Sequence, residues 1–146
     1  MKNTIDKLKL KKYHSKIIKA KIITSKNAYD YIRQFYFDDI DIYESVFILL
    51  IDASNTTIGY AKISQGGVIG TVIDVKLICK YVIDSLAMGV ILAHNHPTGN
   101  LKASDSDMQI TSKVKDALNI FDCKLLDHII LSSNKYLSMA DEGILI

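Results

Sequence analysis

Two histidines and an aspartate in one short segment have the residue types and the spacing of a metal site. In an extended chain side chains alternate between two faces, so His94 and His96 lie on the same side. The apolar run Val90–Ala93 leads directly into His94, which puts both imidazoles at the carboxyl end of a strand, where α/β sheets commonly bind ligands. Asp107 follows on a predicted helix. Two nitrogens and one carboxylate oxygen suit Zn²⁺, and three protein ligands leave a fourth position for water.

The same segment has a second interpretation. Ser104 and Asp107 have the spacing of a capping box, with Ser104 as N-cap and Asp107 at the third helical position. The combined spacing of histidines, serine and aspartate favours the zinc site, and Ser104 can serve both purposes.

A zinc-activated water needs a general base, and the chain contains only two glutamates. Glu142 lies in a polar turn near the carboxyl terminus. Glu44 precedes the apolar run VFILLID, where a neighbouring strand can bring its carboxylate beside the metal. Asp41 and Asp52 are the alternatives that position alone leaves open.

The elements that must position these residues alternate between strand and helix, which predicts an α/β sheet covered on both faces. Only one proline occurs, and no linker divides the chain. The sequence predicts strands at Ile17–Thr24, VFILLID, Ile58–Ser64, Val90–Ala93, Lys124–Leu131 and Tyr136–Met139. It predicts helices at Asn27–Phe37 with Ser25 as N-cap, from Asp74 to a stop at Gly89, and from Ser104 to Leu118, with a loop at GGVIGTV.

Charge divides the chain into a basic arm, residues 1–16, and a domain, residues 17–146. Residues 1–26 hold nine lysines and one aspartate, a net charge of +8, whereas the remainder carries −6. Such an arm can contact nucleic acid, although a solvated tail with a lysine-rich edge strand is the simpler interpretation.

The hydrophobic fraction of 49% and mean hydropathy of +0.15 exclude a disordered chain, and no apolar run is long enough to cross a membrane. Neither a signal peptide nor a disulfide framework is evident, because the amino terminus is charged and Cys79 and Cys123 are isolated. We therefore expect a cytoplasmic protein; the oligomeric state is left open.

With these residues identified, the chain resembles the bacterial RadC-like branch of the JAB/MPN (JAMM) metalloprotease superfamily. The resemblance extends from about ITSKNAYDYI to the carboxyl terminus. Its matching pieces are ESVFILLIDASN, GTVIDVKLI, ILAHNHPTGN, SDSDMQIT, LLDHIIL and YLSMADEGIL. Thr98, Ala103 and Lys76 depart from the usual family residues, but none of them is a ligand.

The resemblance implies a three-layer α/β/α fold with a central mixed sheet, like that of cytidine deaminases, and hydrolysis of an amide or isopeptide bond in a peptide or protein. It implies zinc on His94, His96 and Asp107, Glu44 as the general base, and Ser104 as an oxyanion donor. Longer relatives carry an amino-terminal helix-hairpin-helix module, and we expect this chain to lack it and any DNA-binding role of that module.

The residues around the predicted site allow other interpretations. His128, in LLDHIIL, is either a core histidine, the simpler interpretation, or a partner of a metal ligand. The tripeptide HNH does not indicate an HNH nuclease, whose residues are spread over a ββα unit, and Ser104 lacks the GxSxG context of a serine hydrolase. The main alternative is a DNA-repair-associated accessory domain in which zinc is non-catalytic and the basic arm contacts DNA.

Overall fold

The continuous apolar run SVFILLI forms a fully buried central strand, β1 (Ser45–Ile51). In this computed structural model, which describes residues 11–67 and 71–145, β1 belongs to a five-stranded mixed sheet. The other strands are β2 (Thr57–Gln65), β3 (Gly89–Asn95), β4 (Lys124–Leu131) and β5 (Tyr136–Ser138). Their order is β2-β1-β3-β4-β5; β3 and β4 are parallel, and every other neighbouring pair is antiparallel.

Helices cover both faces of the sheet. They are α1 (Ser25–Ile32), which a short 3₁₀ turn at Arg33–Phe35 extends, α2 (Val75–Ser85) and α3 (Asp105–Asn119). Alternate residues of β1 divide between two cores: Phe47 and Leu49 pack with α1, whereas Ile48 and Leu50 pack with α2 and α3. The predicted three-layer α/β/α fold with a mixed sheet is therefore confirmed.

The predicted strand at Ile17–Thr24 is wrong. Only Lys21 forms an isolated bridge, to Thr56. Ile22 is buried in the core, but Ile18, on the same side of an extended chain, and Ile23 are more than 70% exposed, so the segment has no continuous buried face.

The first helix begins earlier and ends sooner than Asn27–Phe37. Thr24, not Ser25, is its N-cap, because the side chain of Asn27 accepts from the Thr24 amide while Thr24 Oγ1 accepts from the Asn27 amide. The helix then tightens into the 3₁₀ turn, which buries Phe35.

Gly89 does not stop the second helix. Leu86 ends α2 in the left-handed conformation (φ 54°), and Gly89 begins β3. A Cβ at Gly89 would lie 2.6 Å from Leu126 Cδ1, so a larger residue there would require the partly exposed Leu126 side chain to shift.

The remaining elements agree with prediction to within two residues at each end, with α3 beginning directly after Ser104. Residues 68–70 of the predicted glycine-rich loop and residues 1–10 of the basic arm lie outside the described residues. The described lysines at positions 11, 12, 16 and 19 are exposed.

Candidate metal centre

Strand β3 delivers His94 to the face of the sheet that α2 and α3 cover. Val90 and Leu92 belong to the core on that face, and the alternation of side chains puts His94 there too, 1% exposed. His96 lies just beyond the strand, where its amide continues the ladder by donating to the Leu131 carbonyl at 2.9 Å. The end of a buried parallel strand thus holds both imidazoles.

The three predicted ligands converge. Nε2 of His94 lies 2.8 Å from Nε2 of His96 and 3.1 Å from Oδ1 of Asp107, and Nε2 of His96 lies 3.6 Å from Oδ2 of Asp107. One ligand atom from each residue falls within 4.8 Å of the others, which is close enough to share one metal ion. The predicted convergence of His94, His96 and Asp107 is therefore confirmed.

The hydrogen bond on the far side of the His96 ring determines what its Nε2 can do. Nδ1 of His96 lies 2.5 Å from the backbone carbonyl of Asn100. A carbonyl oxygen only accepts, so Nδ1 carries a proton, and in the neutral ring Nε2 has the lone pair that a metal ion would use. The 2.8 Å approach of the two Nε2 atoms requires a proton or a metal ion between them. Zinc-binding histidines ordinarily have such an outer acceptor.

The capping interpretation of Ser104 and Asp107 is also confirmed. Ser104 Oγ accepts from the Asp107 amide at 3.1 Å, and both the amide and the hydroxyl of Ser104 donate to Asp107 Oδ2 at 2.7 Å. These bonds hold Oδ2 and leave Oδ1 facing His94. The cap therefore positions the carboxylate, and the Ser104 side chain remains exposed to solvent.

The electrostatics of the cluster favour positive charge. A hydrogen bond to Asp107 raises the pKa of His96, with further contributions from the Asn100 carbonyl and the charge of Glu44. Burial by itself would raise the pKa of Asp107, but hydrogen bonds with His94 and His96 outweigh it and hold that pKa well below its usual range. Such a cluster could hold a proton or a metal cation between its side chains.

Glu44 lies on the neighbouring strand end. Strands β1 and β3 are antiparallel with Val46 opposite His94, so the register continued by two residues brings Glu44 opposite His96. The half-buried Glu44 is near enough for its charge to raise the pKa of His96. Asp52, by contrast, follows the other end of β1, where its carboxylate accepts from Ser54 and Thr56. The structure thus favours Glu44 over Asp52.

Asn95 is a residue that sequence reasoning missed. It is fully buried between the two histidines and faces the opposite side of the sheet. Its Nδ2 donates to the carbonyls of Ile40 (2.6 Å) and Tyr43 (2.7 Å), and its Oδ1 accepts from the Ser45 amide (2.7 Å). These bonds anchor the segment that carries Glu44. Strand alternation predicts the side on which Asn95 lies, but only the fold shows what it meets there.

His128 contacts a ligand as well as the core. It lies on β4, is fully buried, and its Nε2 is 2.7 Å from Nδ1 of His94. Burial, followed by the neighbouring charge of His94, holds the pKa of His128 well below its ordinary value. Its Nδ1 lies 2.6 Å from Oγ1 of Thr111, the last residue of the matching piece SDSDMQIT. The simple core interpretation of His128 is therefore incomplete.

Comparison with known proteins agrees with this geometry. Residues 22–144 match the family described as the RadC-like JAB domain. This chain belongs to that family. A UPF0758 protein of Flavobacterium johnsoniae is 43% identical over 128 residues, covering 88% of this chain and 56% of that protein. A UPF0758 protein of Fusobacterium nucleatum is 33% identical over 144 residues, covering 99% of this chain and 57% of that protein.

The chain spans about half the length of the curated relatives it matches. Within the described ranges, no helix combines the length and the apolar character needed to cross a membrane. Cys79 is half-buried and Cys123 is buried, and both are free thiols.

Proposed function

We propose that this RadC-like JAB domain is a zinc-dependent hydrolase of the JAMM metallopeptidase type, which cleaves an amide or isopeptide bond in a peptide or protein. The observation that carries the proposal is the convergence of His94 Nε2, His96 Nε2 and the Asp107 carboxylate within 4.8 Å, beside the strand end that carries Glu44.

The donor set fits zinc. Two imidazole nitrogens and one carboxylate make a three-ligand set of the catalytic kind, and the Asn100 carbonyl supplies the outer acceptor that such a histidine uses. When bound, zinc supplies Lewis acidity, which lowers the pKa of water and polarises a carbonyl.

The chain's own residues account for proton movement. Glu44, at the mouth of the site, takes the proton from the attacking water and returns it to the leaving amine. This role requires a carboxylate that reaches solvent, and Glu44 is half-buried.

Ser104 stabilises the developing oxyanion by donating a hydrogen bond to it. Its hydroxyl turns about a single bond, so it can exchange Asp107 Oδ2 for a substrate oxygen while the Ser104 amide still holds Oδ2. The helix cap is therefore kept when the hydroxyl donates to substrate, because both of its backbone hydrogen bonds remain.

Metal analysis joined to a cleavage screen tests this proposal. We expect about one zinc per purified chain, and cleavage within a library of peptides and isopeptide-linked peptides that chelation abolishes and added zinc restores. Protein that neither contains nor binds zinc would disprove the proposed centre. Zinc-loaded protein that cleaves no member of the library would count against the peptidase assignment alone.

A second candidate function is contact with DNA through the basic arm, with zinc in a non-catalytic role. It is favoured by the charge of the first 26 residues and by the exposure of the three described lysines of the arm, Lys11, Lys12 and Lys16. The two candidates differ in the role of Glu44, which only the hydrolase requires.

A further inference from the structure

We propose that Thr111 and His128 are positioning residues that select the metal-binding tautomer of His94. The inference rests on the metal centre proposed above, although not on the reaction assigned to it. Thr111 lies on α3 and is 4% exposed, and His128 lies on β4 and is fully buried. Thr111 contacts the main-chain carbonyl of Asp107 and His128 contacts Nδ1 of His94, so neither bonds the atoms that face the metal position.

The hydroxyl of Thr111 fixes the direction of the chain of hydrogen bonds. Thr111 Oγ1 lies 2.6 Å from the backbone carbonyl of Asp107, one helical turn earlier, and 3.7 Å from Met139 Sδ. Two oxygens approach this closely only with a proton between them, and the carbonyl has none to give. The single hydroxyl proton of Thr111 is therefore donated to Asp107.

With its proton committed, Thr111 can only accept from His128. Nδ1 of His128, 2.6 Å away, must carry the proton of that bond. The other nitrogen of the neutral His128 ring, Nε2, then has a free lone pair. This lone pair faces Nδ1 of His94 at 2.7 Å, so Nδ1 of His94 is the donor.

The consequence reaches the metal centre. Once Nδ1 of His94 carries the proton, Nε2 of the neutral ring has the free lone pair, and it is Nε2 that faces His96 and Asp107. The opposite tautomer would direct an N–H into the site and block coordination. His128 thus accepts a hydrogen bond from Nδ1 of His94, as the Asn100 carbonyl does from Nδ1 of His96. A carbonyl can only accept, however, whereas an imidazole nitrogen can either accept or donate.

Thr111 fixes the direction of the His128 hydrogen bonds, because its hydroxyl donates to the main-chain carbonyl of Asp107, the residue that supplies the third ligand. The chain of bonds runs from the main chain of Asp107 through Thr111 and His128 to His94. It therefore links two of the three ligands, on α3 and β3, behind the site. A movement of α3 relative to the sheet would disturb both ligands at once.

Zinc affinity in a matched pair of variants tests the role of the hydroxyl. Thr111→Val has nearly the same shape without the hydroxyl, whereas Thr111→Ser keeps it. We expect Thr111→Val to bind zinc about 10- to 100-fold more weakly in competition with a chromophoric chelator, and Thr111→Ser to remain close to wild type. Thr57→Val is the control, because Thr57 is equally buried and hydrogen-bonded but lies at the start of β2.

Equal zinc affinity in wild type, Thr111→Val and Thr57→Val would overturn the positioning role while leaving the metal centre intact. A wild-type chain that binds no zinc would instead overturn the centre and this role together. If Thr111→Val does not fold, ¹⁵N NMR of the imidazoles in the wild-type protein tests the proposal directly, because it reports which nitrogen of His128 carries the proton. We expect the proton of His128 on Nδ1; a proton on Nε2 of a neutral His128 would contradict the proposal.

Discussion

The two halves of the candidate site are held in different ways. In the ligand half, the side chain of each ligand has a hydrogen-bonding partner outside the metal position: His128 for His94, the Asn100 carbonyl for His96, and Ser104 for Asp107. In the half that carries the proposed base, the Glu44 carboxylate has no hydrogen-bonding partner among residues 11–67 and 71–145. Its position comes from the backbone, through the Gly66 amide that donates to the Glu44 carbonyl and through the Asn95 contacts.

The difference corresponds to what each half would do. Metal ligands need lone pairs fixed in direction, since a rotated or wrongly protonated imidazole does not bind. A general base must instead take up and release a proton, and a carboxylate already engaged by donors would be a weaker base. We infer that the ligand half is preorganised by side chains, whereas the base half is positioned by the backbone and left free.

The largest expected effect is in the ligand half. His96→Ala should lose most of the bound zinc, because the remaining imidazole and carboxylate form an incomplete set. His14→Ala is the matched control, since His14 is exposed in the arm region. Elemental analysis of both purified proteins checks the prediction; equal zinc in His96→Ala and wild type would rule out His96 as a ligand.

The next effect separates the two halves. Glu44→Gln should retain zinc and slow hydrolysis by a factor of about 10² to 10⁴, since the amide cannot accept the proton. Glu142→Gln, the same change at the other glutamate of the chain, should alter neither quantity. Turnover of a library-selected substrate and metal content are measured together, and unchanged turnover in Glu44→Gln would remove this residue from the mechanism.

A smaller effect is expected at the anchor of the base half. Asn95→Ala leaves the Ile40 and Tyr43 carbonyls and the Ser45 amide without a partner, which should lower the free energy of unfolding by about 1–3 kcal/mol. Turnover should fall while zinc content stays unchanged, because the displaced residue is Glu44 and not a ligand.

Denaturant unfolding, metal analysis and turnover of Asn95→Ala are compared with those of Asn119→Ala, whose asparagine is exposed at the end of α3. Loss of zinc in Asn95→Ala without loss of turnover per bound zinc would show that the anchor serves the ligand half instead.

The smallest effect on the site should come from the basic arm. Removing residues 1–16 should leave zinc content unchanged and abolish any affinity for DNA, which in the full chain should weaken steeply with added salt. Fluorescence anisotropy with a labelled duplex at several salt concentrations measures this. DNA binding that persists without the arm, or that salt does not weaken, would contradict the electrostatic explanation.

Local patterns predicted most of the fold correctly. The continuous apolar runs of β1 and β3 and the serine cap of α3 are local signals, and the structure confirms the elements they mark. The prediction failed where tertiary context decided. Residues 17–24 have the composition of a strand but bury only Ile22 and no continuous face. Gly89, which resembles a helix stop, instead begins strand β3 beside the Leu126 side chain.

The sequence by itself predicted the candidate ligand set, because His94, His96 and Asp107 lie within fourteen residues and their spacing on a strand and a capped helix predicts their convergence. Only the tertiary structure decided what surrounds them. The antiparallel register of β1 and β3 brings Glu44 to the strand end that carries the histidines, and the parallel pairing of β3 and β4 brings His128 beside His94. Strand order and register arise from burial across the whole sheet, and no local spacing records them.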